Sequence, residues 1–75
     1  MGDAELDALL NEYRQAVEEW ITRIRDESAL ATEKHSVNAV DLWEAAGFNE
    51  EEARRKAKAA KGAYEDALRR SLFKI

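Results

Sequence analysis

Cysteine and proline are absent from the 75 residues, glycine occurs three times, at positions 2, 47 and 62, and histidine once. Each scarcity removes a class of chemistry. Without cysteine there is no disulfide framework, thiolate zinc site, iron–sulfur cluster or thiol nucleophile, and the chain suits a reducing cytoplasm, which is the expected location. The lone histidine, His35, has no Glu-x-x-His or His-x-x-x-His arrangement around it, so it reads as a polar residue near a helix end, and no metal is expected. No Gly-rich phosphate loop or nucleophile elbow occurs, and the helical carboxylates fall on wet faces where nothing tunes them for proton transfer. A non-enzyme without catalytic residues or cofactors is therefore expected. No run is apolar enough to cross a bilayer, and the N-terminus lacks the basic and apolar regions of a signal peptide. Leu6 also stands where an acylation motif beginning at Gly2 needs Ser or Thr.

What remains is a helical composition, with 37% charged and 45% hydrophobic residues and Ala, Glu, Leu, Lys and Arg dominant. Leu6, Leu10, Tyr13, Val17, Trp20 and Ile24 recur at alternating spacings of four and three, with Leu9 and Ile21 widening the stripe. This 3.5-residue period is the seam of a left-handed helix pair. The spacing predicts a helix over about 3–34, whose end is blurred where Glu27 and Ser28 interrupt the stripe and Ser36 offers a new cap. A short helix over about 38–46 follows, with Val40 and Trp43 on one face. Gly47 suits the left-handed residue beyond its C-terminus. Asn49 and Glu52 then read as a capping box, with Phe48 stapled onto Ala53, opening a helix over about 50–73.

That last helix repeats the period with smaller residues: Ala53, Ala57, Ala60, Tyr64, Ala67 and Ser71. Large side chains on the first helix facing alanines on the last allow close backbone approach. Leu6, Leu10, Tyr13, Val17, Trp20, Ile24, Ala57, Ala60 and Tyr64 are thus the expected core and dimer seam. Antiparallel packing also brings the acidic start of the chain, with Asp3, Glu5, Asp7 and Glu12, towards Arg69, Arg70 and Lys74. The expected fold is all-α, a single helical domain over 1–75 formed by a long antiparallel helical hairpin with a short connecting helix. A helix of roughly 30 residues is about 45 Å long, too slender to be covered within one chain, which predicts a four-helix bundle as a homodimer.

Two surfaces suggest function. Leu42 points differently from Val40 and Trp43, so the short helix cannot bury all three in one chain, and near the C-terminus Phe73 lies away from the alanine seam; Leu42, Trp43, Leu72 and Phe73 are the expected partner-binding residues of a protein–protein interaction module. The alternative is a nucleic-acid-binding regulator. Residues 3–34 carry nine acids and four bases whereas residues 50–75 carry eight bases and five acids, so the net charge of −4 hides an asymmetry. Arg54, Arg55, Lys58 and Lys61 could grip phosphates in a salt-sensitive way. The acidic first helix and Glu50, Glu51 and Glu52 oppose that field. Residues 40–50 have the outline of a helix-turn-helix with Gly47 at the turn, but bulky Trp43 falls where the helices must meet, and those glutamates would face a phosphate-lined groove.

Overall fold

A computed structural model describes residues 2–31 and 36–73. Two antiparallel helices account for almost all of them: α1, Asp3–Leu30, and α2, Val37–Phe73. α1 opens without a side-chain cap, but Asp3 and Glu5 in its first turn suit the positive end of the helix dipole. It closes at Ala31, whose N–H is shared between the carbonyls of Glu27 and Ser28. The stripe's expected extension to position 34 enters residues 32–35, outside the described residues together with His35. Ser36 caps α2 as the sequence suggests: its Oγ accepts a hydrogen bond of 3.1 Å from the Ala39 N–H, and its carbonyl accepts the first helical bond from Val40.

The short connecting helix and the separate start at position 50 are replaced by one uninterrupted helix of 37 residues. Gly47 lies inside α2 with no left-handed backbone angle, and Asn49 and Glu52 are exposed interior positions instead of a cap. Phe48, expected as a staple on Ala53, points outward and is 74% exposed. The physical reason is phase. Ala39, Ala46, Ala53, Ala60 and Ala67 fall seven residues apart, all buried or half-buried, and a break at Gly47 would put Ala39 and Ala46 out of step with the other three. Continuing through a glycine costs only about 1 kcal/mol relative to alanine.

α1 meets this alanine row with Leu6, Tyr13, Trp20 and Glu27, also seven apart and all half-buried. On one flank Leu9, Ala16, Arg23 and Leu30 are half-buried too; on the other Leu10 and Val17 are half-buried while Ile24 is exposed. The large-against-small seam is present as the sequence predicts. Its buried residues are Ala46, Ala53, Ala57 and Ala67, and no large side chain is fully buried among the described residues.

Two helices side by side form a single layer with no enclosed interior. The molecule measures 56 × 16 × 13 Å with a radius of gyration of 17.1 Å, against about 11 Å for a compact chain of this length. Its accessible surface is 5933 Å², whereas a typical folded monomer of its mass exposes about 4,700 Å². A helix of α2's length spans about 56 Å, so α2 sets the long dimension and α1 is about 14 Å shorter.

Candidate interaction surface

Among the described residues one polar side-chain bond crosses the seam and marks the register between the helices. Trp20 Nε1 donates to Glu50 Oε1 at 2.7 Å, joining two half-buried side chains thirty residues apart. The carboxylate thereby satisfies the one donor that an indole brings to a seam. Nearer the reversing end, Glu27 occupies a seam position. Its Oε2 is buried without a hydrogen-bond partner among the described residues, and a Cβ added at Gly47 would lie 3.8 Å from it. That is an ordinary van der Waals separation, and Glu27, Glu44, Gly47, Phe48, Glu50 and Glu51 line a shallow cleft of about 280 Å³. Among the described residues no group of three or more Asp, Glu or His side chains is arranged to hold a metal ion, and no helix is long and apolar enough to cross a membrane.

With Trp20 level with Glu50, Asp3 lies about level with Ala67, and the last six or so residues of α2 run beyond the start of α1. Leu72 and Phe73 sit on this overhang, 67% and 66% exposed. At the reversing end Val37, Leu42 and Trp43 are 81%, 50% and 46% exposed. The four residues expected to bind a partner are therefore exposed, but in two groups at opposite ends of the hairpin. A third apolar surface lies between them. Ile21 and Ile24 are 41% and 43% exposed beside half-buried Leu10 and Val17. Of the expected seam, Leu6, Leu10, Tyr13, Val17, Trp20, Ala60 and Tyr64 are half-buried and Ala57 is buried. Ile24 lies on the seam's margin.

Arg54, Arg55, Lys58 and Lys61 are all exposed. Only Arg55 has an ion-pair partner among the described residues, Glu51 one turn earlier at 3.9 Å. The expected attraction between the acidic start of α1 and the arginines at the end of α2 takes a different form. Arg69 binds Asp66 of its own helix at 2.9 Å, and Arg70 Nε donates to the Asp66 carbonyl; Lys74 lies outside the described residues. The remaining pairs, Arg23 with Glu19 and Asp26, are also within one helix. Orientation of the hairpin consequently rests on the seam, since exposed local pairs contribute only about 0–1 kcal/mol each. No protein-family model matches the chain, and no curated protein or solved structure matches it.

Proposed function

We propose that this hairpin is a non-catalytic protein–protein interaction module that works as a homodimeric four-helix bundle and captures a protein partner through apolar residues at its ends. The observation that carries this reading is that, among the described residues, nine large hydrophobic side chains are exposed and the buried residues are four alanines. Pairing two hairpins would cover the middle of the layer. It leaves Leu42 and Trp43 at one end and Leu72 and Phe73 at the other for recognition, where aromatic side chains supply large contact area at small entropic cost.

The test is capture of a cross-linked partner by Trp43→Ala and Phe73→Ala variants whose helicity by circular dichroism matches the parent. At least one should lose capture severalfold; undiminished capture by both would remove these ends as the site. A second reading is favoured by one observation: Arg54, Lys58 and Lys61 are exposed without an ion-pair partner among the described residues. On that reading the ladder contacts nucleic-acid phosphates, and binding weakens steeply with salt and on changing these three residues to Ala. Salt-insensitive or absent binding to a mixed-sequence RNA or DNA duplex would dismiss it.

A further inference from the structure

We infer that the second copy docks on the flank of α1 formed by Leu10, Val17, Ile21 and Ile24, with the two α1 helices antiparallel and each Val17 beside its counterpart; this topology rests on the dimeric reading above. Three observations lead there.

The first is direction. Ile21 follows Trp20 in sequence and so is turned about 100° from it around the helix. Trp20 faces α2, and a second helix packed at about a right angle to that contact is what a square four-helix bundle requires. Ile21 and Ile24 remain 41% and 43% exposed because one hairpin cannot supply that helix.

The second is area. The surface exceeds that of a typical monomer by roughly 1,200 Å² on a molecule exposing 5933 Å². Obligate dimers bury about 1,000–2,500 Å² from each subunit. The excess is of the size a second copy would remove.

The third is charge, which selects among arrangements. An antiparallel pairing centred on Val17 sets Leu10 level with the partner's Ile24, Arg14 within a turn of the partner's Glu18, and Asp7 within a turn of the partner's Arg25. Neither Arg14 nor Arg25 has an ion-pair partner within the hairpin among the described residues. The same two-fold axis, carried through the Trp20–Glu50 register, brings the α2 helices together about residue 53, with Arg54 near its own counterpart, so the favourable charge pairs of this arrangement are those of α1. The alternatives conflict. Parallel α1 helices would oppose Arg14 to Arg14 and Asp7 to Asp7. A two-fold running along the bundle would set Arg14 between the partner's Arg54 and Lys58, and Glu18 against the partner's Glu51 and Glu52. Opposed like charges penalise both arrangements.

Because the chain has no cysteine, single-cysteine variants report the geometry directly. Val17→Cys should oxidise to a covalent dimer. Ile24→Cys alone should not, because its two copies would be about 20 Å apart, far beyond disulfide reach. Mixed with Leu10→Cys, it should give the heterodimeric cross-link. Independently, Arg14→Glu should weaken dimerisation about tenfold in sedimentation, and adding Glu18→Arg should restore it. A protein that sediments as a dimer yet cross-links through Ile24→Cys and not Val17→Cys would overturn the topology while leaving the dimer. Sedimentation of the unmodified chain as a monomer at every concentration would overturn both. Failure of the charge swap to rescue a dimer weakened by Arg14→Glu would also contradict the docking geometry.

Discussion

The two halves of the hairpin seal their seams differently. Towards the free ends, Ala53, Ala57 and Ala67 are 4%, 3% and 0% exposed, and the residues of α1 opposite them include Leu6, Leu10 and Tyr13. Towards the reversing end the alanine row continues through buried Ala46, but the heptad position of Ala57 is taken by Glu50 and Trp43, and the α1 row of Leu6, Tyr13 and Trp20 ends in Glu27. Trp43 stays 46% exposed, and one oxygen of Glu27 is buried without a hydrogen-bond partner among the described residues. A large residue against a small one lets two helices close, whereas large or charged residues on both sides hold them apart. The first half stabilises the hairpin. The second half leaves an open cleft and exposed aromatic surface, and there stability gives way to a capacity for contact.

The largest loss of stability is expected where the halves join. Trp20→Ala removes both the largest seam side chain and the bond to Glu50, and should cost about 3 kcal/mol in chemical denaturation; Trp20→Phe, which loses chiefly the bond, should cost about 1 kcal/mol. In the alanine half, Ala57→Leu should destabilise by about 2 kcal/mol because the close approach leaves no volume for it. The equivalent change at Trp43, to Leu, should cost less than half as much. Glu27→Leu should instead raise stability by roughly 1 kcal/mol, since it puts an apolar side chain at a seam position in place of a carboxylate whose buried oxygen has no partner among the described residues. The smallest effect is expected at Gly62, where a Cβ meets nothing within 4 Å. Gly62→Ala should stabilise by about 0.5–1 kcal/mol through backbone entropy alone, seen as a small rise in denaturation midpoint with an unchanged slope.

The hairpin, its large-against-small seam and the Ser36 cap were legible because periodicity and capping are local properties of a sequence. The continuity of α2 was legible as well, but in a different signal. Gly47 followed by Asn49 and Glu52 resembles a helix end and a new start when read over six residues. The row from Ala39 through Ala46 to Ala67 shows unbroken phase only when read over nearly thirty. Tertiary packing follows the longer signal, because every alanine in the row loses its place opposite α1 if the helix restarts out of phase.

The Trp20–Glu50 bond was not legible, since it depends on a register between two helices that composition does not set. Nor was the capture of Arg69 and Arg70 by Asp66, where a partner one turn away in the same helix outcompetes acids that must be brought from another. The apolar ends were visible as residues off the seam. Their separation to opposite ends of a 56 Å molecule follows from the length of α2.

Sedimentation equilibrium across a protein dilution series tests most directly whether the hairpin pairs with a second copy, as proposed. A mass near twice the 8.5 kDa of the chain, persisting to low micromolar concentration with helicity retained, is the predicted result. A helical species of 8.5 kDa at every concentration would contradict it.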